Sequence, residues 1–365
     1  MSDATDTSTD TSAATSAATG ATATDKAATT QLAPWLATQR DALLAQRGHA
    51  WLLHGPSGLG QYEIALSLAQ AWLCEAPDKA AADAACGQCP SCHMIATHAH
   101  TDLVVLMPES LMLDYGWPLS EKAQKEIDDK SRKPSKEIRV EAMRDAIDFA
   151  QLTSGRGRCK AVLVYPAERM NTITANALLK TLEEPGGKLQ FVLATEAAHQ
   201  LLPTIRSRCQ SFALRWPSQA ESIAWLRTQE GTGKLDDAAL IAVLAAAGGR
   251  PMDAMQVIAA GAINTWTKLP KALLFGNLSA VDGWSPANLL DALQKLCHDL
   301  WAVKLGAAPR FFSAADLPKP PPARALSAWS EQLKSLARSI DHTWKEQLLI
   351  EDLVSQAKTA LNSRQ

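Results

Sequence analysis

The chain of 365 residues is long enough for two to three domains, and 36 basic against 38 acidic side chains, a net charge of -2, exclude a general attraction to nucleic acid or to an anionic membrane. No run of about 18 apolar residues and no basic-then-apolar leader is found, which predicts a cytoplasmic protein that contacts no membrane. Seven cysteines, four of them between Cys74 and Cys92, suit a metal site in a reducing compartment better than a disulfide framework.

Residues 1–30 are almost wholly Ala, Thr, Ser and Asp and cannot bury enough apolar surface to offset their ordering entropy, so a disordered tail is expected there. From residue 31 onward, structure is expected: residues 36–46 read as helix and Ala50–Leu53 as a short buried strand. The strand feeds Gly55-Pro56-Ser57-Gly58-Leu59-Gly60-Gln61-Tyr62, and Ile64, Leu66, Leu68, Ala69, Trp72 and Leu73 mark an apolar helix beyond it. Strand, glycine loop and helix form the setting of a phosphate-binding loop, G-x-x-x-x-G-K-[ST]. In that loop backbone amides wrap the phosphates, the lysine neutralises them and the hydroxyl holds magnesium. Gly55 and Gly60 have the right spacing, but Gln61 stands at the lysine position and Tyr62 at the hydroxyl position. A neutral amide adds no charge, and a phenol is too long and rigid to replace serine beside the metal. No functional ATP site is therefore expected in this chain.

Cys74 follows the helix, and after an Ala-rich loop comes Cys86-Gly87-Gln88-Cys89-Pro90-Ser91-Cys92. Two interlocked C-x-x-C units plus Cys74 supply four soft ligands for a tetrahedral, structural zinc with no open position for a catalytic water. A redox pair or idle cysteines is the alternative, and His93 is a substitute ligand ranked below Cys74. Leu103–Met107 reads as a strand covered on both faces. Residues 108–136 turn to mixed charge, with Pro118 and Pro134, and are expected to be a surface excursion whose charges form a solvated face. Helical pattern returns over Val140–Leu152, with Met143, Ile147 and Ala150 on one side. A second core strand follows at Ala161–Tyr165 and runs into Pro166 and Ala167. Next come a helix over Asn171–Glu184, stopped by Pro185-Gly186-Gly187, and a strand at Phe191–Thr195. Strands alternating with helices at these lengths predict a doubly wound parallel sheet. Beyond Trp216-Pro217 no strand is expected. Short helices broken by glycines fill 216–261. Leu stripes such as Leu289, Leu293, Leu296 and Leu300, then Leu326, Trp329 and Leu333, then Trp344, Leu348 and Leu349, mark an all-helical core in 262–365.

Four features stand in one order: the glycine loop, the cysteine cluster, Asn176-Ala177-Leu178-Leu179-Lys180-Thr181-Leu182-Glu183-Glu184-Pro185, and Ser207-Arg208-Cys209. This order resembles the clamp-loader branch of the AAA+ proteins, with motifs over residues 32 to about 260. The resemblance implies an α/β AAA+ domain over 31–215 with an inserted zinc module at 74–92, a helical lid domain over 216–261, and an all-α collar domain over 262–365. It implies a subunit of a DNA-directed DNA polymerase holoenzyme, acting in DNA replication. The loop lacks Lys and Ser/Thr, and Pro166 and Ala167 stand where ATPase members of the branch carry Asp-Glu, so both halves of the magnesium-phosphate machinery are missing. This pattern is similar to that of a member that does not hydrolyse ATP. Arg208 is then expected to reach, in trans, the terminal phosphate held by a neighbouring subunit; an arginine that caps the preceding helix or pairs with a carboxylate is the plainer alternative. The implied partners are ATPase subunits of the gamma/tau type and a delta subunit in a hetero-pentameric ring, and through them the sliding clamp and primed DNA. Thr195 falls where the branch senses the terminal phosphate, a role left empty here, and Arg250 receives no nucleotide contact. Two rivals stand beside this reading: an ATP-hydrolysing subunit of the same branch, and a zinc-ribbon DNA-binding protein on a vestigial fold.

Overall fold

The computed structural model describes residues 32–233, 235–259, 261, 263–339 and 345–363; the expected tail at 1–30 and Trp344 lie outside them. The first part of the chain runs α1 (Pro34–Leu44), β1 (Ala50–His54), α2 (Gln61–Leu73), α3 (Pro90–Ala96), β2 (Leu103–Leu106), α4 (Glu109–Asp114), α5 (Glu121–Asp128), α6 (Val140–Gln151), β3 (Lys160–Val164), α7 (Thr172–Glu183), β4 (Leu189–Thr195), α8 (Pro203–Arg206) and β5 (Gln210–Ala213). The five strands form one sheet in the order β2-β3-β4-β1-β5, parallel throughout, with Trp51 opposite Val192 on one side and Gln210 on the other.

Because side chains alternate along a strand, each buried strand feeds two cores. Trp51, Leu53, Leu163 and Val192 pack with Leu36 of α1 and Ile64 and Leu68 of α2. Leu52, Val162, Val164 and Phe191 pack on the opposite face with Met143 of α6 and Leu178 and Leu182 of α7. Helices on both faces of a parallel sheet make the fold mixed α/β and doubly wound, as expected. β5 is the strand that the sequence reading lacked, as were the short helices α3, α4, α5 and α8: as an edge strand, Gln210–Ala213 is largely exposed and carries no apolar run to announce it. At the opposite end of the sheet lies a second difference. The 108–136 segment is not a merely solvated face, since Trp117 is buried in the main core, and Glu109, also buried, pairs with Arg132 and Arg139.

The rest of the chain is helical. α9 (Gln219–Leu226), α10 (Asp237–Ala246) and α11 (Pro251–Ala259) gather around Leu226, Leu240, Val243 and Leu244. α12 (Ile263–Phe275), α13 (Pro286–Lys304), α14 (Ala323–Ala337) and α15 (Glu346–Leu361) enclose a core of Leu289, Leu293, Leu296, Leu300, Leu326, Trp329, Leu333 and Leu353. The buried Asp299 carboxylate accepts the backbone N–H groups of Arg310, Phe311 and Phe312 at 2.8–2.9 Å and anchors the loop between α13 and α14. Among the described residues, no single helix is long and apolar enough to cross a membrane.

Candidate functional site

β1 and β4 are neighbours in the sheet yet far apart in sequence, so the loop leaving β1 lies at the carboxyl edge where doubly wound folds collect ligands. Gly58 and Gly60 take φ of +74° and +97°, backbone that only glycine adopts freely, and Gly60 caps α2. The outline of a phosphate loop is therefore present, but its polar groups are engaged within the chain. Gln61 Nε2 donates to the carbonyls of Gly55 at 2.9 Å and Pro56 at 2.6 Å, so the residue in the lysine position is turned onto the loop's own backbone. Trp117 Nε1 donates to Tyr62 Oη at 2.6 Å, and the Tyr62 ring packs against Tyr115 and Tyr165 at centroid distances of 4.4 and 5.7 Å. Burial, partly offset by the Trp117 bond, pushes the Tyr62 phenol up to about 12, so it stays protonated and is no anionic ligand for a metal.

The titratable groups around the loop are mostly carboxylic acids. Glu63, Glu196 and Asp253 are held above the usual carboxylate range chiefly by burial; repulsion from Glu196 adds to the shift of Glu63, and repulsion from Glu168 to that of Glu196. Arg250 answers part of this. Its Nη1 donates to Ser57 Oγ at 2.8 Å and its Nε lies 2.8 Å from Asp253 Oδ2, so it joins the glycine loop to the start of α11. Thr195 Oγ1 donates to Glu168 Oε2 at 2.6 Å, and the Glu196 amide donates to the same carboxylate at 3.1 Å. The strand end with Pro166 and Ala167 thus does carry an acid one residue on, used to hold β4. The sequence reading missed Glu168, Trp117 and Tyr115. The one available signal is the apolar and aromatic stretch Leu111-Met112-Leu113-Asp114-Tyr115-Gly116-Trp117 within a segment otherwise of mixed charge.

The four cysteines assigned to metal come together. Cys74, Cys86, Cys89 and Cys92 place their sulfurs within 4.8 Å of one another, with Cys74 and Cys89 3.9 Å apart. A tetrahedral zinc with bonds of about 2.3 Å needs sulfur separations of about 3.8 Å, so the donor set fits. The amides of Glu75, Cys86, Cys89 and Cys92 point at the sulfurs at 3.3–3.4 Å, and those of Gln88 and Cys89 draw the Cys86 thiol down to about 6. His93 is not in the cluster. The module is fastened to the sheet by Glu75, which pairs with Arg156, and by Asp102, which accepts from Ser154 Oγ and the Gly155 and Arg156 amides at 2.8–2.9 Å.

Arg208 lies at the turn between α8 and β5. Its Nε and Nη2 bind Glu183 at the end of α7, and its Nη1 donates to the Thr204 carbonyl at 2.9 Å. Within the chain it both pairs with a carboxylate and caps α8, and its side chain remains 31 % exposed.

Residues 35–218 match the family described as "DNA polymerase III, delta subunit". The DNA polymerase III subunit delta' of Pseudomonas aeruginosa is 38 % identical over 213 residues, 58 % of this chain and 56 % of that one. That of Yersinia pestis is 30 % identical over 279 residues, 74 % and 72 % of the two chains. The DNA polymerase III subunit tau of Escherichia coli is 35 % identical over 167 residues, 46 % of this chain and 22 % of that one. The chain thus spans just over half the length of the Pseudomonas relative and most of the Yersinia one, and the glycine loop, cysteine cluster and Ser207-Arg208-Cys209 all lie inside the matched family region. This chain belongs to the family of DNA polymerase III delta' subunits.

Proposed function

We propose that this chain is the non-hydrolysing AAA+ subunit of a DNA polymerase III clamp loader. It forms part of a ring with gamma/tau-type ATPase subunits and a delta subunit, supplies Arg208 to the ATP of a neighbour, and so helps place the sliding clamp on primed DNA. The observation that carries the first half is Gln61: its amide donates into the Gly55 and Pro56 carbonyls, which supports a loop closed on itself instead of one open to phosphate. The buried Tyr62 supports the same reading, since a protonated phenol at the hydroxyl position offers a metal no anionic ligand. The second half is supported by the fixed, partly exposed guanidinium of Arg208, a group whose planar fork suits a phosphate and whose role as a finger is worth about 10³ to 10⁵ in rate where such arginines act.

Zinc on Cys74, Cys86, Cys89 and Cys92 would be structural: it would tie the end of α2 to α3 and leave no coordination position for chemistry. α9–α11 and α12–α15 would serve as lid and collar. A titration of the purified chain with fluorescent ATP tests the first half, with no saturable binding as the expected result. Micromolar binding with turnover would return the chain to the ATP-hydrolysing gamma/tau type. Co-purification with the candidate loader subunits, and hydrolysis measured with and without this chain, tests the assembly.

A further inference from the structure

We infer that Glu183 is a positioning residue for Arg208, holding the guanidinium at the end of α7 in the attitude in which it meets a neighbour's phosphate. The inference rests on the reading of Arg208 as a residue acting in trans. Ile205 and Cys209, which flank the arginine, are buried, so the backbone is pinned on both sides and the long side chain is the part left to wander. Three of its nitrogens are then fixed: Nε and Nη2 on the Glu183 carboxylate, Nη1 on the Thr204 carbonyl, with a longer 3.5 Å approach of Nη1 to Ser207 Oγ. Three anchored nitrogens define the plane of the guanidinium. Nη2 carries two hydrogens, so it keeps a donor beyond the bond to Glu183, and the group is oriented without being used up.

The place of Glu183 in its own helix supports this. It is the last residue of α7, where a carboxylate faces the negative end of the helix dipole, so the acid is not there to stabilise α7. Arg208 is the group that compensates it. The pair is also half open to water, with side chains 31 % and 47 % exposed, which makes it weak enough for an arriving phosphate to share the arginine instead of competing with a buried bridge.

The test uses the reconstituted loader containing this chain. Glu183→Ala should lower kcat for DNA-stimulated ATP hydrolysis about three- to five-fold at low salt, the range that an exposed pair spans, with KM for ATP within about a factor of two. The gap should narrow at high salt, where such a pair is screened, and Glu183→Gln, which keeps the acceptor, should recover part of the rate. In an Arg208→Ala background the Glu183→Ala change should have no further effect. An unchanged rate for Glu183→Ala at low salt, or the same loss in the Arg208→Ala background, would overturn the inference. If Arg208→Ala itself leaves hydrolysis unchanged, the trans role fails and the positioning role fails with it, a result distinct from loss of the Glu183 effect alone.

Discussion

Asp102 shows how much one side chain can organise. Burial alone would raise its carboxyl, but the amides of Gly155 and Arg156 and the Ser154 hydroxyl outweigh that and hold it below the usual range. A folded pKa below the unfolded value of about 3.9 stabilises the native state fully above that pH, and the contribution is lost as pH falls through the folded pKa. Asp102→Asn should therefore cost about 2 kcal/mol at pH 7, the range for buried bonds to a charged acceptor, and the difference from the parent should shrink below about pH 4; urea unfolding at the two pH values checks both parts. Gly58 makes a different demand. A Cβ there would lie 2.5 Å from Asp253 Oδ1 on a backbone with φ of +74°, so Gly58→Ala should cost about 1 to 3 kcal/mol in the same assay and loosen the contact of α11 with the loop. At this scale the sequence was legible where the residue type alone decides. Gln61 and Tyr62 stand where a working loop carries Lys and Ser/Thr, and four thiols at C-x-x-C spacing point to one cluster. It was not legible where the partner is remote. Nothing local says that Trp117 donates to Tyr62, 55 positions away, or that Glu183 holds Arg208, 25 positions on.

Among the elements, β1–β4 announce themselves because a parallel strand covered on both faces is a continuous apolar run, as in Ala161–Val164. β5 does not, because an edge strand needs no such run, and its pairing with β1 is set by the sheet and not by its own composition. α3 is a third case. At seven residues, starting on Pro90 with Cys89 as its cap, it is too short to be stable alone and is held by Ile95 in the main core and by Ser91 Oγ, which donates to the Leu73 carbonyl at 2.7 Å. With zinc on the four cysteines as proposed, a strong chelator should loosen the 74–92 module first and leave the sheet standing. Four newly reactive thiols, with near-ultraviolet circular dichroism largely kept, are the expected result. Chelation that exposes no thiol would count against a metal there.

Over the whole molecule, the three groups of elements are joined by a few side-chain contacts. Arg250 binds Ser57, Trp35 meets Trp225 edge to face at 5.3 Å, and the Arg215 amide donates to Gln39 at 2.7 Å, tying the α9–α11 region to the glycine loop and α1. Lys295 donates to the Ala246 carbonyl at 2.8 Å, and Arg310 to that of Gly248 at 3.1 Å, tying α9–α11 to α12–α15. Of these contacts, that of Arg250 with Ser57 involves the glycine loop itself, and the scaffold role proposed for the chain rests on Arg208, at the turn between α8 and β5. The most direct measurement is DNA-stimulated ATP hydrolysis by the loader reconstituted with Arg208→Ala. The account predicts a loss of about 10³ at the ATP site facing this chain, while the variant melts at the parent's temperature and still enters the complex. Hydrolysis at the parental rate by such an intact complex would contradict it.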